Sequence, residues 1–323
     1  MKKRIVSAGL ALGLWAGAGA ANAAAYPSKP VSIVVPWAPG GTVDFVARQV
    51  AQKLTESMGQ SFVVENRPGG AGTIGGGYVA RSAPDGHTLM AVDGSYAIIP
   101  AVYKNLNWDP EKDLTGVSTM IKTPMVLVVP PTSQFKSVKE LIDHAKSNPG
   151  VLNYGSGGSG STTHVAAALF AHEAGIDLTH IPYKGGGEAM LAIMSGTVDL
   201  LFTASPSAMP GVRGGKARAL GVSGTDPLSM GSDILPIRQQ GLPSYHMDNW
   251  FGLLAPAGTP DDVIDALQKE IKQALADPKL QERLHEQGAE AYITTPDEFN
   301  DIIKKDMVRW IDLDKQVGIA SGQ

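Results

Sequence analysis

The chain contains no cysteine, which rules out a disulfide, a cysteine metal ligand and a lipidated cysteine. Aromatic residues make up only 6% and charged residues 18%, and no cluster of lysine and arginine occurs. The electrostatic footprint that nucleic acid or an anionic membrane surface requires is therefore missing. Seven histidines are scattered singly, so no paired-histidine metal site is suggested. Beyond the first two dozen residues no apolar run is long enough to span a bilayer. What remains is a chain of 323 residues, 43% of them hydrophobic, long enough for two domains with real cores and unlike a disordered polymer. Glycine is abundant at 38 residues, and it gathers in runs that follow apolar segments, the pattern of backbone-lined loops.

The N-terminus reads as a bacterial export signal. Lys2, Lys3 and Arg4 precede an uncharged apolar stretch from Ile5 to Ala20, and Ala21-Asn22-Ala23 supplies the small-x-small cleavage pattern. Residues 1–23 are thus expected to be a signal peptide removed after Ala23, with the periplasm as destination. Removing its three basic residues leaves 24 lysines and arginines against 31 acids, a formal charge of −7 on the mature chain.

The mature chain alternates short β-branched runs, glycine loops and helical periodicity. Residues 31–37 (VSIVVPW) read as a strand buried on both faces, followed by the turn 38–42 and by a helix over 43–58 in which Phe45, Val46, Val50, Leu54 and Met58 share a face. Strands follow at 61–65 and 88–93, separated by a glycine-rich loop at 69–77 and a short helix at 78–82. The pattern restarts at 125–129, with a helix at 138–147, a strand at 151–154, the loop 155–163, a helix at 164–173, a strand at 178–182, a helix at 188–195 and a strand at 198–203. Amphipathic helical stretches at 261–287 and 296–317 close the chain. Repeated β-loop-α units imply parallel α/β layers with loops at the carboxyl edges of the strands. Passages near 122–126 and 244–252 divide them into one lobe of residues 24–125 and 247–323 and a second of residues 126–246.

Two strands each end in a glycine loop that opens a helix, at 39–44 and 155–163. The first amides of a helix have no intrahelical partner and its dipole is positive there, so both places suit a carboxylate. Gly40 and Gly41 carry no side chain to keep an anion away, and the hydroxyls of Thr42, Ser159, Ser161 and Thr162 can donate to it. The same loops would also serve as ordinary capped turns. Asp44 either caps its own helix or orients a water toward the ligand, since two carboxylates in contact repel. Lys184 either reaches a ligand or is solvated at a strand end, and Trp37 either covers a ligand's carbon skeleton or plugs its lobe. Enzyme motifs are sparse. Residues 70–75 match G-x-G-x-x-G with Asp93 18 residues beyond, but they follow the second strand of the lobe, with residues 66–69 intervening. No G-x-S-x-G or phosphate-loop lysine occurs, and neither His172-Glu173 nor His285-Glu286 extends to a zinc-protease motif. An exported α/β hydrolase or dinucleotide-dependent oxidoreductase is the alternative this leaves.

Six segments in fixed order, VPWAPGGTVD at 35–44, NRPGGAGTIGG at 66–76, APDGHTLM at 83–90, NPGVLNYGSGGSGSTTH at 148–164, IPYKGGGEA at 181–189 and WFGLLAPAGTP at 250–260, resemble the Bug family of periplasmic receptors for tripartite tricarboxylate transporters. The resemblance covers essentially the whole mature chain. It implies an α/β type II periplasmic-binding-protein fold, with two lobes joined by a double crossover hinge and closing on a small carboxylate. It also implies no catalysis, no cofactor and no metal. The expected partners are the ligand and cognate membrane transporter subunits, or a sensor kinase if the receptor serves signalling, with a monomeric receptor and no nucleic acid. Carried onto this chain, the ligand loops are Pro39, Gly40, Gly41, Thr42 and Asp44, with Ser156, Ser159, Ser161 and Thr162 opposite and Gly94 and Ser95 facing the same cleft. Trp37, Lys184, Gly185, Ala204 and Ser205 complete the expected site. Where the family often has Asp-Asn after the strand near 198–202, this chain has Thr203-Ala204-Ser205, which weakens the case for an amino-acid ligand and favours a dicarboxylate or an aromatic carboxylate.

Overall fold

A computed structural model describes residues 26–228 and 234–318. The expected signal peptide lies outside the described residues. The chain folds into two α/β lobes. In the first, strands β1 (Val31–Val35), β2 (Phe62–Asn66) and β3 (Thr88–Asp93) run parallel in the order β2-β1-β3. The long strand β4 (Leu114–Val129) passes from this lobe into the second. There, strands β5 (Asn153–Ser156), β6 (Thr179–Pro182) and β7 (Leu200–Ala204) are parallel in the order β7-β5-β6, and β8 (Arg218–Val222) pairs with β4. Strand β9 (Asp248–Pro256) returns to the first lobe and lies antiparallel between β3 and β4, and the two-residue β10 (Glu290–Ala291) also pairs with β4. Both sheets are therefore mixed rather than purely parallel, because the strands that cross between lobes run against their neighbours.

Strand β4 shows how one segment serves both lobes. Its first half pairs with β9 as far as Pro124 opposite Asp248, and from Met125 opposite Ala204 it pairs with β7. In its second half, side chains alternate between two cores: Met125, Leu127 and Val129 join the larger cluster, Val126 and Val128 the smaller cluster on the other face of the second sheet. The sequence marks only the apolar half, 125–129, because residues 114–124 mix threonine, serine and glycine with the apolar positions.

Helices α1 (Thr42–Met58), α2 (Thr73–Ala80), α3 (Ser95–Val102), α8 (Asp261–Leu275), α9 (Pro278–His285) and α10 (Pro296–Val317) belong to the first lobe, and α4 (Val138–Ser147), α5 (Thr162–Ala174), α6 (Gly186–Ser195) and α7 (Ser205–Arg213) to the second. Helix α1 buries Val43, Val46, Val50 and Leu54 and ends at Gly59, whose left-handed backbone lets its N–H reach the Thr55 carbonyl. The stretch 261–287 is two helices rather than one. Asp277 caps the second by accepting from Lys279 and Leu280 N–H, and Pro278 stands in its first turn, where a missing N–H costs nothing. Helices α3 and α7 carry internal prolines, Pro100 and Pro210, which hide them from a periodicity reading. Helix α2 includes Gly75, Gly76 and Gly77, expected to be loop. A β-carbon on Gly76 would lie 2.5 Å from the Trp108 ring, so glycine here is what lets the helix approach the tryptophan.

Candidate functional site

The lobes meet face to face. Across the gap the Ala38 N–H donates to the Lys184 carbonyl (3.1 Å), the Thr42 and Ser207 hydroxyls are 2.8 Å apart, and the Tyr103 hydroxyl donates to the Ser159 carbonyl (2.9 Å). Between them lies a cavity lined by residues of both lobes, at the kind of interlobe cleft where small-molecule sites commonly form. Four helices turn their first residues into it: Thr42 and Val43 of α1, Thr162 and Thr163 of α5, Gly186 of α6 and Ser207 of α7. Trp37, Met125 and Phe251 supply apolar surface, and Asp93 is the one charged lining residue among those described.

The two helix tips singled out by the sequence differ. At α1 the first intrahelical bond runs from Phe45 N–H to the Gly41 carbonyl (3.0 Å), so the amides of Thr42, Val43 and Asp44 have no helical partner, and Gly41 offers no side-chain cap. At α5 the amides of Thr162 and His164 are already engaged. Ser161 caps the helix by accepting from His164 N–H (3.3 Å), Thr162 N–H donates to the Ser95 hydroxyl (2.9 Å), and Thr162 Oγ1 donates to the Asp93 carboxylate (2.7 Å). The preceding loop is closed in the same way, with Gly157 N–H on Thr163 Oγ1 (2.7 Å), Gly158 N–H on Ser156 Oγ (3.0 Å) and Gly160 N–H on His164 Nδ1 (3.1 Å). The expected symmetric grip by two bare helix tips is thus not the observed arrangement.

Of the sequence-derived site residues, Trp37, Gly41, Thr42, Ser95, Ser161, Thr162 and Ala204 line this cavity. The others sit around it. Asp44 accepts from Gly40 N–H (3.2 Å), from Asn66 Nδ2 (2.9 Å) and from both Nε and Nη2 of Arg48, so its oxygens serve its own helix start. Burial pushes its pKa up, but the bonds from Arg48, Asn66 and Gly40 outweigh this and leave it below the usual aspartate value. Pro39 and Gly40 pack against Gly187, and Ala38 against Gly185; a β-carbon on Gly187 would lie 2.9 Å from the Gly40 carbonyl carbon and one on Gly185 3.2 Å from the Ala38 nitrogen, so the second lobe has no room for a side chain there. Gly94 donates its N–H to Asn249 Oδ1 (3.0 Å), and Ser205 donates to the Gly288 carbonyl (2.8 Å). Ser159 and Lys184 border a second interlobe cavity of about 550 Å³ together with Trp37 and Tyr103. Ser156 reaches back to His180 Nε2 (2.6 Å).

Beneath the 155–163 loop, Tyr154, His164 and His180 stack, the two imidazoles 4.2 Å apart between centroids. Because His164 Nδ1 accepts from Gly160, that nitrogen carries no proton. Burial, reinforced by the neighbouring His180, holds the His164 pKa down at about 3, and burial holds His180 at about 4. Both rings are thus neutral parts of the loop's foundation and not proton carriers near pH 7.

The sequence reading missed Asp93 as a cavity residue, along with Thr203, Ser207 and Asn249. Asn249 Nδ2 donates to the same Asp93 oxygen (3.0 Å) and stands 3.3 Å from Thr162 Oγ1. Ser207 was hidden with α7 by its flanking prolines, while Asp93, noted only as an element of a dinucleotide pattern, ends a strand that points into the cleft. The glycines of that pattern are occupied otherwise: Gly70–Gly72 form a 3₁₀ turn, and a β-carbon on Gly75 would meet Pro36 at 2.8 Å.

Comparison with known proteins agrees with the architecture. The family model described as the tripartite tricarboxylate transporter family receptor matches residues 46–319. Protein BugT of Bordetella pertussis is 32% identical over 299 residues, covering 92% of each chain. The structure of Rpa4515 of Rhodopseudomonas palustris with adipate superposes with a TM-score of 0.88 at 33% identity, covering 91% of this chain and 98% of that one. MatC of the same species with bound malate gives a TM-score of 0.85 at 30% identity, covering 89% and 99%.

Proposed function

Because the chain belongs to the Bug-type family of tripartite tricarboxylate transporter receptors, we propose that it is a periplasmic solute receptor that binds a small carboxylate between its lobes and hands it to the membrane subunits of such a transporter. The observation that carries this reading is the open tip of α1 inside the interlobe cavity. Unpaired Thr42 and Val43 amides from one lobe face the hydroxyls of Ser207 and Thr203 from the other. Each hydrogen bond from such donors to a charged oxygen contributes about 1.5 to 3 kcal/mol when shielded from water. The acids bound in the relatives, adipate and malate, support a carboxylate as ligand class.

Closure follows from the strand exchange. The lobes comprise residues 24–125 with 247–323 and residues 126–246, and the rotation is taken up where β4 changes partners between Pro124 and Met125 and where the return strand begins. There Met125 N–H donates to Ser223 Oγ (2.8 Å) and Met247 N–H to the Ser223 carbonyl (3.2 Å), tying the two crossings together. The receptor is exported with cleavage after Ala23, acts as a monomer and turns nothing over. No described helix is long and apolar enough to cross a membrane. The test is isothermal titration of the purified mature protein with a panel of aliphatic and aromatic mono- and dicarboxylates, followed by recovery of the ligand. Saturable binding with the acid recovered unchanged is expected; chemical conversion of the acid, or no binding across the panel, overturns the reading.

A further inference from the structure

The cavity has one charge, and it is negative. Asp93 is 7% exposed and is fixed by three donors, Thr162 Oγ1 at 2.7 Å, Asn249 Nδ2 at 3.0 Å and Ser95 N–H at 3.3 Å. The three come from the opposite lobe, the returning strand and its own lobe, so the carboxylate cannot swing away without breaking contacts on every side. No lysine or arginine lines the same space among the described residues, and the nearest expected cation, Lys184, borders the separate cavity beyond Trp37. The remaining exposed surface is mostly apolar, from Trp37, Val43, Met125 and Phe251, with the uncharged hydroxyls of Thr203 and Ser207 beside it.

We infer that Asp93 is a specificity-determining residue that restricts the site to acids carrying a single carboxylate on an apolar body. This deepens, and rests on, the carboxylate-receptor reading. A ligand whose acid group meets the amides of α1 must direct the rest of itself toward the apolar walls and Asp93. A second carboxylate placed there would be desolvated without a cation and set against a fixed negative group, which raises its free energy twice over. A methyl or aromatic terminus meets neither penalty. Asp93 also holds the Thr162 hydroxyl at the start of α5, so the carboxyl group beside that helix tip is already the protein's own.

Matched pairs that differ only in the second acid test this: butyrate against succinate, hexanoate against adipate, and benzoate against terephthalate, each titrated calorimetrically into the wild-type mature protein. The monocarboxylate should bind at least tenfold more tightly in every pair that binds at all. Equal or tighter binding of the diacid refutes the assignment while leaving the receptor reading intact, whereas silence of all six together with the wider acid panel overturns both. In the variant Asp93→Asn, checked for a cooperative unfolding transition, the preference should shrink at least threefold. An unchanged preference in that folded variant removes Asp93 from the role, and if the variant does not fold the wild-type pairs decide the question.

Discussion

The tips of α1 and α5 begin alike in sequence, with a strand, a glycine loop, a threonine and a helix, yet they end in different chemistry. At α1 the glycines 40 and 41 are followed by a first turn without a side-chain cap, and the one acid nearby, Asp44, is turned aside by Arg48 and Asn66. At α5 serine, threonine and histidine side chains satisfy the loop internally, and the other lobe supplies Ser95 and Asp93 to the first turn. A glycine loop before a helix therefore defines a place where an anion can sit, and the side chains within reach decide whether the protein fills it itself. In this chain the α1 tip keeps its first amides without a helical partner or side-chain cap, and the α5 tip joins the lobes.

That contrast can be broken most severely at α1. Thr42→Pro removes one amide and one hydroxyl at the first helical position, where proline is tolerated, and Gly41 already has the extended backbone that a residue before proline requires. Ligand affinity should fall by more than tenfold with the folded structure retained, read by calorimetry alongside circular dichroism; undiminished affinity would place the acid elsewhere. At α5 the expected damage is to stability. Thr162→Val deprives Asp93 of a buried donor and should cost about 1 to 3 kcal/mol in urea unfolding. Its effect on affinity for a monocarboxylate should be smaller than that of Thr42→Pro, and the reverse order would exchange the roles of the two tips.

The smallest effect concerns the histidines under the α5 loop. Their folded pKa values, about 3 for His164 and about 4 for His180, lie below the ordinary value of 6.5, so the unfolded chain binds protons that the folded chain refuses. Their contribution is intact above pH 6.5 and is lost progressively as the pH falls from 6.5 toward 4 and 3. His164→Asn retains an acceptor for Gly160 N–H without a titrating ring, and its unfolding free energy should decline less steeply than wild type between pH 6.5 and 4. Parallel pH profiles would mean that His164 does not govern the acid stability of this loop.

Much of this organisation was legible in the sequence because burial leaves a periodic trace. The strand at 88–93, the helix at 138–147 and the final helix at 296–317 follow directly from apolar spacing and punctuation. Helix α7 and with it Ser207 were not legible, since Pro206 and Pro210 read as loop when only tertiary packing holds the helix. The closing of the α5 tip was hidden for a different reason. Its decisive contacts join residues 67 or more positions apart, Ser95 and Asp93 to Thr162 and Asn249, and no local pattern announces such a meeting.

The most direct test of the division between the two tips is a crystal structure of the receptor with a tightly bound acid. The account predicts the ligand carboxylate within hydrogen-bonding distance of the Thr42 and Val43 amides, with Thr162 still joined to Asp93. A carboxylate lodged on the first turn of α5 with the Thr162–Asp93 bond broken, or one lying outside the cleft, would contradict it.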